Sequence, residues 1–297
     1  MKKGRAETTR LSDRTATADD EAVQQGLRAV DHQRADEGER IARDVLARHP
    51  RHPGALHLLG VALVAQKRPR EAIPPLDEAA RSISDPVFEA HLAVALRDAG
   101  RSAEALTWLQ RAAARQPPSV VALLELGILL CALRRFTEAE AVLKRGLEVA
   151  PTVPELSMEL GGVYLNRADP ANAKIAFARA LAQAPGHPRA LQGFGTALLY
   201  ERDFERAAER FRQVLAREPG HVRARLDLAH CLLELGNWDE AVACLRATVA
   251  DAPRLYGRAL RTLASSGRGR FWLRRSAAAA FLDSNATAAP TASATAP

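Results

Sequence analysis

Residue marks recur along this chain at a spacing of about 34 residues and keep register from Gly26 to Ala241. A small residue stands at Gly26, Gly60, Ala93, Gly127, Gly161, Gly195 and Ala229, at intervals of 34, 33, 34, 34, 34 and 34 residues. A second follows twelve places after each, at Gly38, Ala72, Ala105, Ala139, Ala173, Ala207 and Ala241. Six of the seven units end on proline (Pro50, Pro117, Pro151, Pro185, Pro219, Pro253), and the other on Ser84. Such a period means one supersecondary unit used repeatedly, each burying its apolar face against the next. It overrides the two-domain expectation that 297 residues alone would raise.

The residues between the marks are equally regular. Leu59-Gly60 leads to Leu63, Ala72, Leu76 and Ala79, and Leu126-Gly127 to Leu130, Ala139, Leu143 and Gly146. Leu160-Gly161 leads to Tyr164, Ala173, Phe177 and Ala180, and Phe194-Gly195 to Leu198, Ala207, Phe211 and Pro219. In spacing and residue type, residues 19–253 resemble the tetratricopeptide repeat. The resemblance implies an all-α fold, a right-handed α-solenoid superhelix of about seven helix-turn-helix repeats with a C-terminal capping helix. The units start near 19, 53, 86, 120, 154, 188 and 222. Similar bacterial repeat regions occur fused to transferases; here no residues remain for a catalytic domain.

The pattern has a mechanical reason. Small residues at the eighth and twentieth positions let the two helices of a unit approach closely, and large residues interlock around them. Asp169-Pro170, Asp203 and Asn237 read as N-caps of second helices. Terminal prolines stop those helices. Two places depart from the pattern. The first unit has Gln25 for a leucine and Ala42 for a bulky residue, and reads as a worn, mobile cap. The second carries Pro74-Pro75, which predicts a kinked or delayed second helix.

The net charge of +7 sits at the ends: residues 1–18 carry +3, residues from Arg254 onward +6, and the array between them −2. Residues 1–18 are basic with no apolar stretch, so they read as a disordered tail rather than a secretory signal, and the expected location is cytoplasmic. Residues 284–297 read as a second disordered tail. Cys131, Cys231 and Cys244 fall inside helices without framework spacing and read as reduced thiols. His52, His187 and His221 share the last position of their units, so repetition rather than metal binding explains them. No cofactor or metal is expected, and no phosphate loop, nucleophile elbow or paired carboxylate appears.

In the family, the first helix lines a concave groove through positions 2, 5, 9, 12 and 13 of the unit. Carried over, those positions give His57, Val61, Val64, Ala90, Val94, Val121, Leu124, Ile128, Cys131, Met158 and Leu165. Farther on they become polar: Arg189, Gln192, Thr196, Tyr200, Arg223, His230 and Glu234. The set that holds a terminal carboxylate in chaperone-binding relatives is replaced by residues such as Val94, Leu124, Ile128 and Met158. The expected function is a non-catalytic scaffold holding a peptide or helix of a protein partner. Residues 254–283 add an amphipathic helix, with Leu255, Ala259 and Leu263 on one side, and a basic aromatic segment with Arg268, Arg270, Trp272, Arg274 and Arg275. That segment either folds its aromatics back against the end of the array with its arginines solvated, the reading favoured here, or contacts an anionic membrane surface or an acidic partner, with nucleic acid the less favoured choice.

Overall fold

The computed structural model describes residues 18–265. Arg268, Arg270, Trp272, Arg274 and Arg275 therefore lie outside the described residues, as do nearly all of the two expected tails. Every regular element described is helical. The first (A) helices of the hairpins are α1 (18–31), α3 (Pro53–Ala65), α5 (Pro86–Asp98), α7 (Val120–Ala132), α9 (Pro154–Asn166), α11 (Pro188–Tyr200) and α13 (Val222–Leu235). The second (B) helices are α2 (Ala35–Arg48), α4 (Pro69–Ser82), α6 (Ser102–Ala113), α8 (Phe136–Val149), α10 (Pro170–Gln183), α12 (Phe204–Arg217) and α14 (Trp238–Asp251). A 3-10 turn, Pro253–Leu255, leads to α15 (Tyr256–Ser265). The described residues form two compact units, 18–159 and 160–265, with the division inside α9.

Each hairpin turns through one left-handed residue at its fifteenth position: Gln33, Lys67, Gly100, Arg134, Ala168, Arg202 and Gly236, with φ between 57° and 85°. Only two are glycine, so five residues carry the cost that a Cβ imposes in this conformation. The amide of the following residue reaches back five places in every hairpin, as from Arg68 to the Leu63 carbonyl at 2.9 Å and from Asp203 to Leu198 at 3.0 Å. This satisfies helix-end carbonyls and sets the sharp reversal.

The starts of the A helices explain the repeated histidine. Nδ1 of His52 accepts from the Ala55 amide at 3.2 Å, and Nδ1 of His221 from the Ala224 amide at 3.1 Å. Ser119 and Asp85 do the same work for α7 and α5. His187 makes no such bond. Among the B helices, Asp169 and Asp203 cap α10 and α12 through their side chains, whereas Asn237 makes no side-chain cap.

In residues 18–159, each absent Cβ at the eighth position is filled by a leucine. A Cβ on Gly60 would stand 2.2 Å from Leu76 Cγ, and one on Gly127 2.5 Å from Leu143 Cδ2. In the first hairpin the same place against Gly26 is taken by Leu58 of the next hairpin, at 2.3 Å. Leu58 thus occupies the space that Ala42 leaves, and both are buried with Val23, Val45 and Ala55. The expected disturbance at Pro74-Pro75 does not interrupt α4, which runs from Pro69 to Ser82 as one α-helix. Pro74 itself is exposed, at the solvent edge where a missing N–H is least costly.

In residues 160–265 the filler becomes aromatic. Phe177 meets the missing Cβ of Gly161 at 2.8 Å and that of Gly193 on the next A helix at 2.3 Å; Phe211 meets that of Gly195 at 2.7 Å. The core continues through Leu198, Leu228, Leu232 and Leu245 to Ala259 and Leu263 of α15, which covers the end of the last hairpin.

Candidate functional site

The A helices α3, α5 and α7 place Val61, Val64, Val94, Leu124 and Ile128 half-buried, and leave Val121 36% exposed. Spacings of three, four and seven residues put these side chains along one stripe of each helix. Cys131 is half-buried at the end of the same stripe. In residues 160–265, Leu165 and Thr196 are half-buried and Tyr200 is 61% exposed, while Arg189 and Arg223 are exposed.

Position 5 behaves differently and corrects the sequence expectation. Met158 is 2% exposed and Gln192 8%, and His57 and Ala90 are equally enclosed. None of these four offers an open binding surface. Where the contacts are resolved, the reason is packing between successive A helices. The His57 ring stacks on Phe88 with centroids 4.0 Å apart and an interplanar angle of 8°, and its Nε2 lies 2.7 Å from Nδ1 of His91. In the other unit, Gln192 Nε2 donates to Asp227 Oδ2 at 2.7 Å. A residue at position 5 therefore meets position 6 of the next hairpin. Leu124, half-buried, is the exception among the predicted contacts. Glu234 is also buried, facing Arg202 at 3.7 Å.

These polar seams carry the clearest electrostatic signatures. Burial, with a smaller effect of His91, pushes the His57 imidazole down to about 3. Burial also lowers His91, against the pull of Asp85 and Asp31. Burial raises the Asp227 carboxyl, opposed by Arg223, Gln192, Arg258 and His230. The Cys231 thiol is pushed up to about 12, chiefly by burial, which makes it a poor nucleophile. Glu89, buried on α5, is held by Arg115 at 2.6 Å and Arg111 at 3.2 Å. Among the described residues, no group of three His, Cys, Asp or Glu is placed to hold a metal ion. No helix among them is long and apolar enough to cross a membrane.

Sequence reasoning missed a cleft of about 300 Å³ between α4 and α6. Leu92 and Leu96 line it with Ile73, Pro74 and Trp108, and the ion pairs Asp77–Arg81 and Arg101–Glu104 flank it. The repeat pattern treats these B-helix positions as solvent-facing, so only Trp108, an aromatic on the polar side of α6, could have signalled it.

The comparisons agree with this architecture. Tetratricopeptide repeat family models match residues 23–86, 96–161 and 198–264. No curated protein matches the sequence significantly. Among solved structures, the APC/C hetero-tetramer Cut9–Hcn1 is similar with a TM-score of 0.67 at 19% identity, over 76% of this chain and 46% of that one. The chain thus spans less than half of that relative's length. PilF of Pseudomonas aeruginosa gives 0.59 at 18% identity, over 72% and 96%. YrrB, described as a TPR protein with an unusual peptide-binding site, gives 0.52 at 20% identity, over 63% and 96%. Seven hairpins of this geometry, most of their length matched by the family's own repeat models, make the chain a member of the tetratricopeptide repeat family, a protein-interaction fold.

Proposed function

We propose that this chain is a non-catalytic cytoplasmic adaptor that holds a helix or an extended peptide of a partner protein on the A-helix face of residues 18–159. Val61, Val64, Val94, Val121, Leu124 and Ile128 form the contact. The observation that carries this reading is that six apolar side chains from three successive A helices all keep part of their surface open. A contiguous apolar surface of this kind on a soluble scaffold marks a binding site, and side chains at helical spacing suit an amphipathic helix or a strand laid across them. The peptide-binding site ascribed to YrrB, a neighbour in fold, supports the same use of the scaffold.

Photo-crosslinking tests it. A benzoylphenylalanine at Val94 or Val121 is expected to capture a discrete protein partner in cells, whereas the same group at Ile175, 68% exposed on α10, is not. Equal capture at Ile175, or capture there alone, would move the contact away from the A-helix face.

A further inference from the structure

The two units differ in charge. Residues 18–159 carry 18 Lys or Arg against 21 Asp or Glu, and residues 160–265 carry 15 against 11. Much of the basic excess in the second set comes from the capping segment. Arg258 and Arg261 stand three residues apart on one face of α15, and Arg254 stands in the 3-10 turn that leads into it, so the three follow one another as a short basic stripe along this segment. All three are exposed, and among the described residues no acid lies within ion-pair distance of any of them. The opposite side of α15 is spent: Ala259 and Leu263 are buried, with Leu255, Tyr256 and Leu260 packed against the same core.

A fourth cation joins the stripe from α13. Arg223 is exposed near the start of α13, a helix that packs directly against α15, and it and Arg258 both favour the charged form of the Asp227 carboxyl. Asp227 is the acid among them, and it is already engaged, accepting from Gln192 at 2.7 Å and facing Arg223 at 3.7 Å. Many other arginines are neutralised locally, as in Arg68–Glu71 and Arg135–Glu138. The α15 stripe has no such partner.

We propose that Arg254, Arg258 and Arg261, with Arg223, form a docking surface for an acidic segment of a protein, a run of Asp or Glu in extended conformation. Arg258 and Arg261 are separated by about 4.5 Å along the axis of α15, and their long side chains can splay farther apart. Same-side residues of an extended chain repeat at about 7 Å, so adjacent guanidinium forks can each take a carboxylate. A membrane surface fits less well, because a helix that binds one must offer an apolar face to the lipid, and the apolar face of α15 is buried. Nucleic acid fits less well too: four cations without an exposed aromatic among them fall short of the roughly 6–10 phosphate contacts of a typical duplex binder.

Fluorescence anisotropy of the full chain tests the proposal, with a labelled peptide of alternating Glu and Ser as probe and its Gln–Ser counterpart as control. The acidic peptide is expected to bind, to weaken as salt rises from about 50 to about 200 mM, and to lose at least about tenfold in affinity in the Arg254→Ser/Arg258→Ser/Arg261→Ser variant. Arg223→Ser is expected to give a smaller loss in the same direction, and circular dichroism of both variants should match the parent because the side chains are exposed. A second variant, with Arg268, Arg270, Arg274 and Arg275 changed to Ser, keeps the stripe and is expected to retain binding. Unchanged affinity in the triple variant, loss only in the second variant, or absence of binding to the acidic peptide would overturn the proposal. So would tighter binding of an oligonucleotide or of phosphatidylserine vesicles that the triple variant abolishes.

Discussion

His57 Nε2 lies 2.7 Å from His91 Nδ1, a hydrogen bond that joins the A helices of two successive hairpins. The pair holds one proton between its facing nitrogens, and a second would set two N–H groups against each other. Burial holds both imidazoles below their ordinary range, His57 at about 3. Between that value and the unfolded one of about 6.5, the unfolded chain binds protons that the folded chain refuses. The contribution of His57 to stability is therefore complete above about pH 6.5 and declines below it, by about 1.4 kcal/mol per pH unit, and His91 acts in the same direction. Urea midpoints measured by circular dichroism should fall from about pH 7.5 to about pH 5, and fall less in His57→Phe. Equal declines in the two proteins would remove the pair as the cause.

The periodicity made the hairpins, their order and the small-residue contacts legible before any coordinates, because those features depend only on which residue types repeat. The A-helix stripe was legible for Val61, Val94 and Ile128 at position 9. It was not legible for Gln192, whose amide reaches Asp227 of the next hairpin so that its burial depends on how hairpins stack, nor for Met158, which is buried too. His57–His91 and Gln192–Asp227 are separated by 34 and 35 residues, one more than the repeat at each place, so the signal existed as polar residues one repeat and one position apart. The left-handed turn was hidden because Lys67, Arg134 and Ala168 occupy a conformation that glycine would have announced.

Gly195 and Phe211 show how tightly the small and large marks are coupled. Alanine at 195 would gain about 1 kcal/mol of helix propensity, but its Cβ would stand 2.7 Å from a fully buried ring. Gly195→Ala is expected to destabilise by about 1–3 kcal/mol. The chain itself pairs alanine with leucine at these positions, as Ala93 with Leu109 and Ala229 with Leu245. Gly195→Ala combined with Phe211→Leu should therefore cost less than the two single changes together, by about 1 kcal/mol. Additive losses in denaturation would contradict the contact.

The turn residues give a paired test of backbone strain. Ala168→Gly relieves a left-handed alanine at φ 57° and is expected to stabilise its hairpin by about 1 kcal/mol. Gly100→Ala should lower stability by a similar amount, and since a Cβ there meets nothing within 4 Å, the loss reports the backbone alone. Thermal midpoints moving in the opposite directions would refute the assignment.

Arg115 holds the buried Glu89 at 2.6 Å. Arg115→Leu strips the closer of its two cations from a carboxylate without access to water and should cost about 3 kcal/mol. Adding Glu89→Leu should restore much of that loss, because the uncompensated charge is gone. A double variant as unstable as the single one would show that the pair acts through packing instead.

The central claim is that partner binding uses the open apolar stripe of α3, α5 and α7. The most direct measurement is the affinity of the crosslinked partner, once purified, for three proteins: the parent chain, Val94→Glu/Ile128→Glu and Ile175→Glu, all checked for unchanged helicity. The account predicts that the Val94/Ile128 change weakens binding by at least about a hundredfold, a loss of about 2.7 kcal/mol, and that Ile175→Glu leaves it unaltered. Full affinity in the Val94/Ile128 variant would contradict it.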